Sequence, residues 1–136
     1  MTTPAFSAPS LVPEGVYPIA FDHHRVTSRF GRGSLELWFR IMEFGPYFEV
    51  PVCRYYKVKR QGKRSFRAGA HSAFAREFIA VFVQRPPVGL QAVRYFGPDL
   101  LLQGKIATVK SGHDQRKIPD PARYSVVREL IGEFQP

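Results

Sequence analysis

The chain has 136 residues and a mass of 15.5 kDa, with 20 Lys and Arg residues against 11 Asp and Glu residues and a formal net charge of +9. This length supports one domain, and 44% hydrophobic with 23% charged residues excludes a disordered or fibrous protein. The longest apolar run, at residues 78–83, is far shorter than the ~18 to 20 residues that cross a bilayer, so we expect no membrane span.

The N-terminal segment, residues 1–14, carries three prolines, two serines and two threonines with little periodicity. It predicts a flexible arm that leads into a single domain at residues 15–132, with a short tail at residues 133–136. The segment has neither the basic nor the apolar part of a secretory signal. Cys53 is the only cysteine, so no internal disulfide can form, and we expect a cytoplasmic protein.

Period-two alternation predicts the first two strands. Residues 16–26 place Tyr17, Ile19 and Phe21 on one side, and the glycines at 31 and 33 permit a tight reversal. Residues 34–42 alternate most clearly, with large apolar residues on the face that we expect in the core: Leu35, Leu37, Phe39 and Ile41. The opposite face carries Glu36, Trp38, Arg40 and Met42.

A third strand is predicted at residues 47–59, after a turn that contains Gly45 and Pro46. Its expected inward residues are Phe48, Val50, Val52, Tyr56 and Val58. Its expected outward residues are Tyr47, Glu49, Cys53, Tyr55, Lys57 and Lys59. Pro51 lies within this run and indicates an edge position or a bulge.

Helical periodicity begins after a basic loop that is predicted at residues 60–71. Ser72 is a suitable N-cap, and apolar residues follow it at three- and four-residue spacing. This pattern predicts one helix of about three turns that ends at the Pro86-Pro87 pair. Further on, we predict a turn-rich connection at 88–99, a strand at 100–110 with Leu102 and Ile106 inward, a polar loop at 111–121, and a final strand or short helix at 123–130.

The predicted order is three strands, one helix and two strands. A five-stranded, partly open Greek-key barrel is the architecture of an OB-fold. We therefore predict an all-β domain with one helix, an OB-fold-like Greek-key barrel whose helix lies between strands three and four.

The positive charge is concentrated in one stretch. Residues 50–76 contain no Asp or Glu, and they hold eight cations: Arg54, Lys57, Lys59, Arg60, Lys63, Arg64, Arg67 and Arg76. Such a stretch favours a polyanion, because each neutralised phosphate releases condensed counterions. The alternative is a basic surface that faces only solvent.

The candidate site follows from the expected barrel. Proteins that bind single strands join a basic groove to aromatic rings on which bases stack, and an OB-fold forms this groove from strands two and three and from the loops that join strands one to two and four to five. Stacking is assigned to Phe30, Trp38 and Tyr55. The cations assigned to phosphates are Arg29, Arg32, Arg40, Lys57, Lys59, Arg60, Lys63, Arg64, Arg67, Arg116 and Lys117, with His113 in the last loop. In the alternative, Trp38 packs under the N-terminal segment or the connection at 86–99.

Several short runs also resemble those of a known family. These are Pro13-Glu-Gly-Val-Tyr-Pro-Ile-Ala-Phe21, Leu35-Glu-Leu-Trp-Phe-Arg-Ile41, Gly45, Tyr55-Tyr56 and Leu102-Gln-Gly-Lys-Ile106. Across residues 13–130 the pattern resembles the OB-fold single-stranded DNA-binding proteins of bacteriophages and mobile genetic elements. The resemblance implies single-stranded DNA as the partner. The chain departs from many bacterial members in lacking an acidic C-terminal tail, so recruitment of partners through such a tail is not expected.

Metal and catalytic chemistry find little support in the sequence. His23 and His24 are adjacent, so on a strand they face opposite sides and rarely bind one ion. A nuclease needs two carboxylates to hold its divalent ion. Here Asp99 is followed by Gln103, an amide, where the second carboxylate would be needed. No base lies near Cys53 in sequence. We expect no metal, no cofactor and no enzymatic activity.

The sequence therefore predicts a protein that binds single-stranded DNA without sequence preference, through base stacking and phosphate neutralisation. One alternative is RNA binding by the same barrel, since the phosphates are alike. Another is an interaction or inhibitor protein that binds an acidic protein surface. A homodimer or a larger homo-oligomer is compatible with the sequence.

Overall fold

A computed structural model of the chain describes residues 11–29, 31–109 and 124–135. In chain order the elements are β1 (Gly15–Arg29), β2 (Arg32–Ile41), β3 (Pro51–Gln61), β4 (Ser65–Arg67), α1 (Ala73–Phe82), α2 (Leu90–Val93), β5 (Leu101–Val109) and β6 (Tyr124–Glu133). The loop predicted at 111–121 lies outside the described residues.

The strands form one antiparallel six-stranded sheet in the order β4-β3-β2-β1-β5-β6. The long strand β1 pairs with two other strands: its first part pairs with β5 and the rest pairs with β2. The register of β1 against β2 shifts between Phe21 and His23. β6 also contacts β3, so the sheet curls until its two halves approach each other.

The core lies on one face of this curled sheet. Leu35, Leu37, Phe39 and Ile41 are all fully buried, which confirms the predicted inward face of β2. Val52 and Tyr56 stand opposite Phe39 and Leu35 on β3 and are buried with them. Alternation places Leu102 and Ile106 of β5 in the same core, as the sequence predicts.

Helix α1 closes the core from one side. The Ser72 hydroxyl accepts a hydrogen bond from the backbone N–H of Ala75 at 3.2 Å, which confirms the predicted N-cap. Phe74, Phe78 and Val81 face the sheet and are buried. The helix ends at Val83, which has a left-handed φ of 58°, and so it stops before the Pro86-Pro87 pair.

The mostly-β class is confirmed, but the number of elements differs from the prediction. The sheet has six strands because the residues of β4, expected in a basic loop, pair with the end of β3. A second helix, α2, interrupts the connection expected at 88–99. The last segment is a strand, β6, and it extends to Glu133.

Two boundaries also differ. Val12, expected in the flexible arm, is only 1% exposed, and its N–H donates to the Ser125 hydroxyl at 2.8 Å, so the packed chain begins before Gly15. β3 begins at Pro51, because residues 47–50 form a turn in which Glu49 has a φ of 66°. Val50 packs against the core and Glu49 is exposed, as predicted, whereas Tyr47, predicted outward, packs against the core and Phe48, predicted inward, stacks on the exposed Phe44.

Of the helices in the described residues, neither α1 nor α2 combines the length and the apolar character that crossing a membrane requires.

Candidate nucleic-acid interface

Two neighbouring strands carry most of the predicted site on the side of the sheet that faces away from the core. Because side chains alternate along a strand, this outer face holds Glu36, Trp38 and Arg40 of β2 and Cys53, Tyr55, Lys57 and Lys59 of β3. The register sets Trp38 opposite Cys53, Glu36 opposite Tyr55 and Ser34 opposite Lys57. Rings and cations therefore follow one another along a single surface.

At one end of the outer face lies a groove of about 590 Å³, which we call the basic groove. It is lined by five cations, Arg32, Lys57, Lys59, Arg60 and Arg67, and by Ser28, Gly31, Gly33, Val58 and Gly69. All five cations are exposed, and none of the lining residues is acidic. The groove thus combines a concave shape with one sign of charge, which focuses the local field toward anions.

Gly33 determines how closely the strands approach at the groove. A Cβ atom at this position would lie 2.5 Å from the Val58 carbonyl oxygen and 2.8 Å from the Arg60 nitrogen. Only glycine permits this contact, which lets the end of β3 cross close over β2. Arg60 is held there as well, since its Nη1 donates to the Ser28 hydroxyl at 3.1 Å.

The cations of the groove repel one another. Lys59 and Arg67 are directly opposite in the β3–β4 ladder, where like charges destabilise a sheet. Among the described residues, no carboxylate lies within 4.0 Å of any charged nitrogen in the groove, and the ion pairs involve other cations. An anion between these side chains would relieve their mutual repulsion.

The aromatic part of the outer face is held in a fixed orientation. Trp38 is half-buried, and its Nε1–H donates to the Glu36 carboxylate at 3.0 Å. The His23 ring lies nearly parallel to the indole, with 6° between the planes and 5.9 Å between the ring centres. Trp38 is therefore neither a core residue nor a fully exposed platform.

Tyr55 and Cys53 lie beside this ring, and burial affects both. Burial raises the pKa of Tyr55 above its ordinary value, and the neighbouring Cys53 raises it further. Burial, followed by the nearby Glu36 carboxylate, raises the pKa of the Cys53 thiol to about 12. Both groups are thus uncharged at neutral pH, and the buried Glu36 carboxylate beside them accepts the hydrogen bond of the Trp38 indole.

The other predicted site residues have different surroundings. Arg40 lies between two carboxylates, 3.9 Å from Asp22 and 3.7 Å from Glu49, so its charge is already partly balanced. Lys63 and Arg64 are exposed in the turn between β3 and β4. Arg29 ends β1, but its side chain lies outside the described part of the structure, as do Phe30, His113, Arg116 and Lys117.

The positions of two side chains, His23 and Arg54, were not predicted from the sequence. His23 reaches the outer face because the register of β1 shifts after Phe21. A bulge of this kind cannot be recognised from the alternation of apolar and polar residues. Arg54 belongs to the basic run but points toward helix α1, where it pairs with Glu77 at 2.5 Å. The alternation of β3 predicts an inward direction for Arg54, because this residue lies midway between the inward residues Val52 and Tyr56.

Within residues 11–29, 31–109 and 124–135, no three His, Cys, Asp or Glu side chains converge as metal ligands. Comparison of the chain with protein-family models, with curated proteins and with solved structures finds no match. The basic groove and the outer face are therefore the features from which we infer a function.

Proposed function

We propose that the protein binds single-stranded DNA without sequence preference, with phosphates in the basic groove and bases against the outer face of β2 and β3. The observation that carries the proposal is the juxtaposition of five uncompensated cations with the half-buried Trp38 on one continuous surface. Binding of this kind needs both components, since cations neutralise any strand while rings favour unpaired bases.

The spacing of the outer face supports an extended strand. Cys53, Tyr55, Lys57 and Lys59 recur at every second residue of β3, which separates them by about 6.8 Å each. A strand that lies along β3 would thus meet the Trp38 and Tyr55 rings first and the groove cations next. A duplex keeps its bases stacked inside and cannot use the rings in this way.

The arrangement of strands supports an OB-fold as the architecture. β1 to β3 form a meander, helix α1 follows, and β5 and β6 form a hairpin whose first strand pairs with β1. Closure of a barrel would bring β3 beside β6, and the contact between these strands lies at that seam. We propose a partly open barrel of this type, extended at its edge by β4.

The proposal is tested by measuring affinity for single-stranded DNA, duplex DNA and single-stranded RNA of equal length. Trp38→Ala is expected to weaken single-strand binding by ~1 to 3 kcal/mol through lost stacking. Replacing Lys57 and Lys59 together by Ala should weaken binding to all three nucleic acids. Replacing Lys105 and Arg94, two exposed cations outside the groove, is the matched control and should change affinity little.

The outcomes separate the proposal from its alternatives. Equal or tighter binding of the duplex would contradict it. Tighter binding of RNA than of DNA would assign the same surface to RNA. A Trp38→Ala protein with full affinity would exclude stacking, and a protein that binds no nucleic acid would favour an acidic protein surface as the partner.

A further inference from the structure

A second and smaller cavity lies beside the basic groove, between β4 and the segment that follows helix α1. Its volume is about 130 Å³, and its walls include Phe66, Phe74, Pro86, Pro87, Val88 and Arg67. Phe66 and Phe74 are buried and form its floor, whereas Val88 is 76% exposed at its rim. We call this cavity the apolar pocket.

Arg67 joins the two cavities, because it lines both the apolar pocket and the basic groove. It is also the only charged residue in the wall of the pocket. A ligand that enters from the groove would therefore keep its anionic part among the cations and place an uncharged part in the pocket. A nucleotide has this division between phosphate and base.

The size and lining of the pocket fit one ring. An apolar cavity of about 150 Å³ lined by aliphatic and aromatic side chains takes up a benzene molecule. The apolar pocket is of similar size, and Phe66 and Phe74 meet edge to face at 5.6 Å on its floor. Flat uncharged rings pack well between aromatic and proline surfaces. A pyrimidine base is of this kind, whereas a purine has two fused rings and needs more space than one ring.

The wall of the pocket is set by backbone geometry. Gly89 has a φ of +58°, and a Cβ atom there would lie 2.9 Å from the Ser65 hydroxyl oxygen and 3.2 Å from the Phe66 carbonyl oxygen. This close approach holds the segment with Pro86 and Pro87 against β4. The two sides of the pocket are therefore formed by segments that pack against each other.

We propose that the apolar pocket takes one pyrimidine base of the bound strand while Arg67 contacts its phosphate. This inference rests on the proposed function, since the strand must first occupy the basic groove. It adds a site for a single base. This site lies apart from Trp38 and Tyr55, and the cations of the groove lie between. A strand with pyrimidines is then expected to bind more tightly than one with purines only, so the proposed absence of sequence preference holds at the other positions and not at this pocket.

The test uses Val88→Asp, which places a carboxylate at the rim of the pocket. The matched control is Val83→Asp, which changes the net charge equally at an exposed valine that lines neither cavity. The probes are oligothymidylate and a sugar–phosphate strand of equal length that lacks all bases. Val88→Asp should weaken binding of oligothymidylate about fivefold to a hundredfold and change binding of the base-free strand little.

Photocrosslinking with 5-iodouracil in the wild-type protein gives a second readout, and attachment at Phe66 or Phe74 is expected. An equal loss for both probes, or crosslinks confined to Trp38 and Tyr55, would overturn the pocket and leave strand binding intact. A wild-type protein that binds neither probe would instead overturn the proposed function itself.

Discussion

Glu77 is the residue through which helix α1 holds the two ends of the curled sheet. Its carboxylate accepts hydrogen bonds from the Arg54 guanidinium and the Tyr56 hydroxyl of β3, and from the backbone N–H of Leu130 in β6 at 2.7 Å. Burial raises the pKa of Tyr56 well above its ordinary value, so its hydroxyl keeps the proton that it donates. One buried carboxylate thus links β3 and β6 at the seam where these strands of the curled sheet contact each other.

Glu77→Gln is expected to lower the free energy of unfolding by about 3 to 5 kcal/mol, because the buried Arg54 charge then lacks its counter-charge. Urea denaturation measures this loss. Replacing the exposed Glu129 by Gln is the control and should cost less than 1 kcal/mol, in the ordinary range of surface changes. A loss below about 1 kcal/mol for Glu77→Gln would show that the carboxylate does not hold the seam.

Cys53 provides a pH-dependent test of the packing beneath Trp38. Its pKa is raised to about 12 by burial, compared with about 8.5 for a free thiol. The thiol therefore stabilises the fold below about pH 8.5, and this contribution is lost as the pH rises toward 12, because the unfolded chain releases the proton first. At pH 8 iodoacetamide should modify Cys53 very slowly in the folded protein and rapidly in denaturant. Rapid modification of the folded protein would mean that the outer face is open at this position.

At the scale of the element, β3 joins the core to the candidate site. Its inward residues lie in the core beside those of β2. Its outward residues Lys57 and Lys59, together with Arg60 near its end, supply three cations of the groove, and its last residues pair with β4. The crossing at Gly33 brings these parts together. The position of the groove cations therefore depends on an uncharged residue of another strand.

Gly33→Ala is expected to move the end of β3 away from β2, since the added methyl group would overlap the Val58 carbonyl oxygen. Overpacking of this kind costs typically 1–3 kcal/mol, so we expect a loss of about 2 kcal/mol in stability. Strand affinity should also fall, although no charge is removed. Gly69→Ala is the matched control, because Gly69 lines the same groove and has open space where its Cβ would lie. Equal affinities of the two variants would contradict the role of this crossing.

The elements also show what the sequence can predict. β2 and α1 follow from the residues because the alternation of β2 and the spacing of α1 repeat over about 10 residues each. β4 and α2 have three and four residues, too few for a period to be visible, and tertiary contacts decide their structure. Four of the five groove cations were predicted from their clustering within residues 57–67, a stretch without acidic residues. Glu77 was not, since its partner Leu130 lies 53 residues away.

At the scale of the whole molecule, charge and shape act together. The net charge of +9 attracts any polyanion over a long range, whereas the basic groove brings five cations together around one cavity with no acidic residue in its lining. The face of β2 and β3 that carries Trp38 continues from the groove along the same strands, and burial keeps Cys53 and Tyr55 on this face uncharged. A general attraction and a local site should therefore differ in their dependence on salt.

The central claim is that the groove cations neutralise phosphates of a single strand, and its most direct test is the slope of log K against log salt concentration. Each phosphate contact contributes about 0.7 to the slope for a single strand, so five engaged cations predict a slope of about −3.5 with oligothymidylate. Replacing Lys57 and Lys59 by Ala should reduce its magnitude by about 1.4, whereas Trp38→Ala should leave it unchanged. A slope near zero with tight binding, or a slope that the loss of both lysines does not alter, would contradict the claim.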